Sequence, residues 1–139
     1  KSGAAALYLP GFLDSFFHIE QAAALQVEII SRTSMGGTAA EALRLSGETA
    51  RFSQVGLYNP ADGTTELISN PAALPPPPAE KEVAEELQRH GSSRSVTSIN
   101  GKLYAQGWLA LPAAQEKGKA LFFRRPISSR PCCSAESRY

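Results

Sequence analysis

The chain has 139 residues, 42% of them hydrophobic and 19% charged, a balance that suits one folded domain and excludes a disordered chain. Its formal charge is +1 with the basic residues scattered, which excludes the concentrated positive face that a nucleic-acid partner requires. No run approaches the roughly 18 apolar residues of a membrane span, and the two cysteines, Cys132 and Cys133, are adjacent near the end, without the CxxC or histidine spacing of a zinc site.

The chain opens on an apolar stub. The stretch Ala4 to Leu13, AAALYLPGFL, reads as the trailing end of a removed signal or membrane helix, so residues 1–12 are set apart from the domain. From Leu13 to Ile30 no Pro or Gly interrupts a helical pattern. Leu13, Phe16, Phe17, Ala24 and Val27 form one stripe, and Ile19, Ala22, Ala23, Gln26, Ile29 and Ile30 form a second. A long helix with two apolar faces follows: one face to cover a sheet and one available to a partner helix.

Met35-Gly36-Gly37 breaks that helix, and Thr38-Ala39-Ala40-Glu41 is a capping box that starts a second one, fading near Gly47. A Gly-Gly-Thr start can cradle a phosphate, but neither the P-loop lysine pattern nor a preceding strand accompanies it here. Arg51 to Tyr58 alternates Phe52, Gln54, Gly56 and Tyr58 against Ser53, Val55 and Leu57, the period of a half-buried strand. Asn59 to Gly63 turns the chain, and Thr64 to Ser69 pairs back as a second strand.

The four prolines Pro75 to Pro78 make a stiff polyproline connector. Pro78 followed by Ala79-Glu80-Lys81-Glu82 marks a helix start, and Gly91 ends that short helix, whose narrow apolar stripe is Val83, Ala84 and Leu87. Ser92 to Leu111 is a β-hairpin turning at Asn100-Gly101, a pair that accepts the positive φ of a type I′ turn. A polar loop, Pro112 to Gly118, leads to a last strand, Lys119 to Arg125, and Pro126 stops it. The remainder, 127–139, has no periodicity and reads as a tail.

The order of elements predicts an α+β domain over 13–126: five antiparallel strands, the long helix on one face and the short helix on the other. The natural place for a pocket is between the short helix and the sheet. On the hairpin, alternation puts Leu103, Ala105, Gly107 and Leu109 on the face that suits the long helix. Lys102, Tyr104, Gln106 and Trp108 lie on the other, where apolar bodies with polar handles suit a small-molecule wall. Arg94 and Arg124 add charge for an anionic ligand such as a carboxylate.

Three features together resemble a PAS-like extracytoplasmic sensor of the single Cache (PDC) kind, found in membrane-anchored bacterial histidine kinases. They are the long leading helix after the apolar stub, the strand-turn-strand FSQVGLYNPADGTTELIS, and the run from GSSRSVTSINGKLYAQGWLAL to GKALFFRRPISSR, the last resembling the sensor region of NtrY-like kinases. The tail PCCSAESRY departs from the pattern, since it is unlike a membrane helix or the helix that leads into one.

The resemblance implies a periplasmic signal-sensing domain in an inner-membrane protein of a two-component system. It would bind a small ligand or relay contacts to a transmembrane helix, and form a homodimer through the N-terminal helix. The ligand-binding set is Arg94, Tyr104, Gln106, Trp108 and Arg124, with no cofactor and no metal. The alternative is a ligand-free structural dimerisation domain of a membrane receptor. An enzyme is not expected. The only imidazoles, His18 and His90, sit at helix positions that suit structural roles, and no GxSxG, HExxH or paired-carboxylate motif is present. Kinase chemistry would reside in domains this chain lacks.

Overall fold

A computed structural model of the chain describes residues 19–111 and 118–127. The start of the long helix, including His18, the loop at 112–117, the apolar stub and most of the tail with Cys132 and Cys133 lie outside the described residues.

The described part of the first helix, α1, is Ile19–Ser34, so it continues four residues past the expected Ile30. Its buried stripe is Ala22, Leu25, Ile29 and Thr33, at successive helical turns. Leu25 and Ile29 are wholly buried, and each such side chain stabilises the fold by about 1.5–3 kcal/mol. Thr33 is tolerated there because its hydroxyl donates back to the Ile29 carbonyl at 2.8 Å. Of the two expected stripes, the second therefore meets the sheet. Ala24 and Val27 from the first stripe point outward, Val27 with 63% exposure.

Gly36 takes φ +98° and lets the Gly37 amide reach back to the Arg32 carbonyl at 2.9 Å, which closes α1. The next helix, α2 (Ala39–Leu45), begins with the expected capping box. The Glu41 amide donates to Thr38 Oγ1 at 3.1 Å and the Thr38 amide to Glu41 Oε1 at 3.4 Å, so the helix start is satisfied by its own residues. A 3-10 turn, Gly47–Arg51, takes up Arg51, the residue at which the sequence pattern began its first strand. That strand, β1, is Gln54–Asn59, and it pairs with β2, Thr64–Ser69.

The short helix α3 is Lys81–His90, capped at its end by Gly91 at φ +76°. Glu80 occupies its N-cap, so Pro78 stands two residues before the cap instead of at the first helical position. The hairpin β3 (Ser92–Ile99) and β4 (Lys102–Ala110) turns at Asn100 and Gly101, with φ of 54° and 83°, as the type I′ pattern demands. The last strand, β5, is Ala120–Pro126.

The five strands form one antiparallel sheet in the order β2-β1-β5-β4-β3. The expected α+β class with five antiparallel strands is therefore present. The first and last strands lie side by side at its centre. On one side, α1 and α2 pack against Val55, Leu57, Ala105, Leu121 and Phe123. Residues from the alternate positions of the same strands, Tyr58, Trp108, Ala120 and Phe122, pack with Val83 and Leu87 of α3. The helices thus own separate apolar clusters, drawn from alternate strand positions.

Gly107 lies against the first cluster with no room for a side chain. A Cβ there would lie 2.5 Å from the Phe123 ring, so the missing side chain is what admits the aromatic across the β4–β5 pair.

Candidate functional site

Pairing registers lay the strand residues of the α3 side out in rows across the sheet. One row reads Gln54 on β1, Arg124 on β5, Gln106 on β4 and Ser95 on β3. The next row towards the chain's α3 cluster reads Gly56, Phe122, Trp108 and Ser93. The first row is polar from β1 to β3, and hydrogen bonds run along it from side chain to side chain.

Arg124 is its centre. Nε donates to Gln106 Oε1 at 2.8 Å, and Nη1 donates to Gln54 Oε1 at 2.8 Å and to the Pro75 carbonyl at 2.6 Å. Gln106 passes the chain on, its Nε2 donating to Ser95 Oγ at 3.0 Å. At the other end Gln54 Nε2 donates to the Leu74 carbonyl at 2.8 Å. Arg124 is only 2% exposed, and its guanidinium also lies 5.4 Å from the centre of the Phe122 ring.

Among the described residues no carboxylate forms an ion pair with Arg124; the ion pairs there join Arg32 to Glu28 and Arg51 to Glu48. Burial therefore pushes the Arg124 pKa below its ordinary value, and nearby Tyr104 opposes that shift. Two amide oxygens and a peptide carbonyl take the place of a counter-ion. They can do so because a guanidinium presents donors in a fixed fork, matched here by acceptors on either side in the row.

The proline segment is the lid of this row. Leu74 and Pro77 are buried while Pro75, Pro76 and Pro78 are exposed, a spacing of three that presents one side of the segment to the sheet. Asn70 fixes its start, donating from Nδ2 to the Leu74 carbonyl at 2.8 Å and accepting from the Leu74 amide at 2.9 Å. The stiff connector is also a strap, tied down by Arg124 and Gln54.

The expected ligand set separates into three places. Tyr104, Gln106 and Arg124 come together on this face, Tyr104 6% and Gln106 4% exposed. Trp108 is on the same face but under α3, 2% exposed, with its ring centre 5.3 Å from Phe122 and 6.3 Å from Tyr58. Its indole N–H has no hydrogen-bond partner among the described residues. Arg94 does not join them. It is exposed and pairs in register with Gly107, which puts it on the α1 side of the sheet.

The wall is accordingly filled where the sequence suggested an opening. Gln54, Ser95 and Pro75 are the members that sequence reasoning missed. Alternation had already placed Gln54 on one face with Tyr58, so its membership was readable in principle; the Pro75 carbonyl, which arrives from a loop, carried no signal.

A cleft does lie between α3 and the sheet, at the end away from the polar row. It has a volume of about 670 Å³ and is bordered by the β1–β2 turn, α3, the end of β4 and the entry to β5. The turn is rigid: Asn59 Oδ1 accepts from the Ala61 amide at 3.0 Å, and Asp62 Oδ1 accepts from the Thr64 amide at 3.1 Å and hydroxyl at 2.7 Å. Those bonds hold the Asp62 carboxyl below its usual value. Tyr58, behind the turn, is pushed up by burial and then by Glu80 and Asp62.

Compared with known proteins, the chain matches no family model, no curated protein and no solved structure.

Proposed function

We propose that this domain is the PAS-like, extracytoplasmic sensor module of a membrane-bound bacterial histidine kinase, of the single Cache kind, and that it relays contacts instead of enclosing a ligand beneath its strap. The observation that carries the relay form is that the second face is filled at Trp108 and at the polar row. Trp108 and Arg124 are each 2% exposed, and the proline strap closes over the polar row. The input and output surfaces are then external. The exposed side of α1 offers Ala24 and Val27 to a second copy, while the side bearing Leu25 and Ile29 ties α1 to the sheet.

Sedimentation of the chain over a range of concentrations tests this. Self-association is expected, and Val27→Glu should weaken it without lowering the melting temperature, because that side chain is mostly exposed. A strict monomer, or a dimer indifferent to Val27→Glu, overturns the relay through α1.

The second reading, ligand binding beneath the strap, draws on the absence of a carboxylate beside Arg124 among the described residues. A small carboxylate entering there would displace the Pro75 carbonyl from Nη1. Stabilisation by acetate or succinate in a thermal-shift assay, lost in Gln106→Leu, would favour this reading over the relay; no stabilisation leaves the relay preferred.

A further inference from the structure

The polar row and its strap account for one half of the second face, and the cluster of Trp108, Phe122 and Tyr58 accounts for the middle. The remaining end is the 670 Å³ cleft, within the size range of small-molecule sites. Its walls are apolar. Ala84 and Leu87 lie three residues apart on one stripe of α3, facing Pro60 of the turn and Ala110 and Leu111 at the end of β4.

Two of its wall residues, Ala84 of α3 and Ala110 of β4, carry only a methyl group, so a larger side chain at either would take up part of the space. Backbone hydrogen bonds that do not depend on an occupant fix the elements around it. The Ala110 amide donates to the Gly91 carbonyl at 2.9 Å, pinning the end of α3 to β4, and the Leu111 amide donates to the Lys119 carbonyl at 2.9 Å. Opposite them, the Gly63 amide donates to the Asn59 carbonyl at 2.8 Å and fixes the turn. A cavity with set walls avoids the ordering cost that a collapsed one would impose on binding.

Among the described residues its polar groups are few and, apart from Lys119, neutral. Asn59 spends its side-chain oxygen on Ala61, which leaves its amide nitrogen as a donor at the rim, and Gln88 brings a second amide from the next position of the α3 stripe. Lys119 borders the entry to β5.

We propose that this cleft is a binding site for a small, uncharged amphiphile, an apolar body lodged between Ala84 and Ala110 with one hydrogen-bonding head at Asn59 and Gln88. The site is distinct from the ligand set the sequence suggested, and it stands whether or not the domain belongs to a receptor kinase.

The test is titration of the full, isotope-labelled chain with hexan-1-ol, hexanoate and hexylammonium, read by amide chemical shifts. Hexan-1-ol should give saturable shifts at Ala84, Leu87 and Ala110, with hexanoate and hexylammonium binding more weakly. Ala84→Phe should fill the space and weaken hexan-1-ol binding by at least about tenfold, equivalent to roughly 1.4 kcal/mol, with its melting temperature at or above that of the parent. Ala110→Leu serves as a second filler should Ala84→Phe fail to fold. Absence of saturable shifts, shifts confined to other residues, or undiminished binding in a folded filler variant overturns the site. Tighter binding of either charged probe overturns the ligand class.

Discussion

Replacing Arg124 by methionine tests whether the polar row is a stabilising network or a buried liability. The substitution keeps an unbranched chain of similar length and removes the charge together with the hydrogen bonds to Gln106, Gln54 and Pro75. Gln54 Oε1 and Gln106 Oε1 then lose their donors inside the fold, where Gln54 is 0% and Gln106 4% exposed. Each stranded acceptor costs about 1–3 kcal/mol. The Pro75 carbonyl adds less, because Gln54 Nε2 still lies 3.3 Å away and Pro75 is exposed to water. Removing the desolvated guanidinium returns part of this. The expected loss is about 2–4 kcal/mol, measured as a lower urea midpoint with an unchanged slope.

The decisive comparison is the triple variant Arg124→Met, Gln54→Leu, Gln106→Leu. It removes the two side-chain acceptors along with the donor; the Leu74 carbonyl keeps its bond from Asn70 Nδ2, and the carbonyl of exposed Pro75 is left to water. It should recover to within about 1 kcal/mol of the parent, since replacing both partners of a buried polar contact by apolar groups is nearly neutral. A single variant as stable as the parent, or a triple variant no better than the single one, would refute the argument that unsatisfied acceptors set the cost.

Other substitutions probe the scaffold. Gly107→Ala drives a methyl to 2.5 Å from the Phe123 ring, and urea unfolding should register a loss of about 1–3 kcal/mol; a neutral result would mean that the ring moves freely. Thr38→Ala breaks the capping box of α2 and should cost about 1 kcal/mol by the same assay. Asn100→Ala removes the short polar side chain that makes φ near +54° tolerable for a residue with a Cβ, and should cost about 1 kcal/mol. The Asp62 carboxyl, lowered by its bonds to Thr64, stabilises the turn above the unfolded value of 3.8 and loses that contribution as pH falls through its lower folded value. An NMR titration of Asp62 should move upward in Thr64→Ala.

The hairpin shows how far the sequence alone could go. Asn100-Gly101 defines the register: counting outward from Ile99 opposite Lys102 places Ser95 against Gln106 and Arg94 against Gly107. That count was available before any coordinates, and it already separates Arg94 from the Gln106 face. Alternation likewise assigned Ala105 and Leu109 to the side of α1, where they pack. Alternation could not say which element covers the opposite face. Phe52 shows a related limit. It continued the Gln54-Gly56-Tyr58 series in the sequence, but the strand begins only at Gln54, and Phe52 packs 5.4 Å from Phe123 on the α1 side. The boundary was set by the 3-10 turn before it, a local structure with no hydrophobic period of its own.

The covers of the second face follow from the order of residues along its central strands. On β4 the polar Gln106 precedes the apolar Trp108, and on antiparallel β5 the apolar Phe122 precedes the polar Arg124, so the same chemistry falls in the same rows. On β1, Gln54 precedes Tyr58 and completes the match. A helix with a narrow apolar stripe suits the apolar rows, and at their edge Glu86 of α3 accepts from Ser93 Oγ at 2.5 Å. An extended segment with free carbonyls suits the polar row, and proline, lacking an amide hydrogen, adds acceptors there without adding a donor that would need a partner. The strap and α3 are therefore complementary covers on one continuous stretch of chain, joined by Pro78 to Glu80.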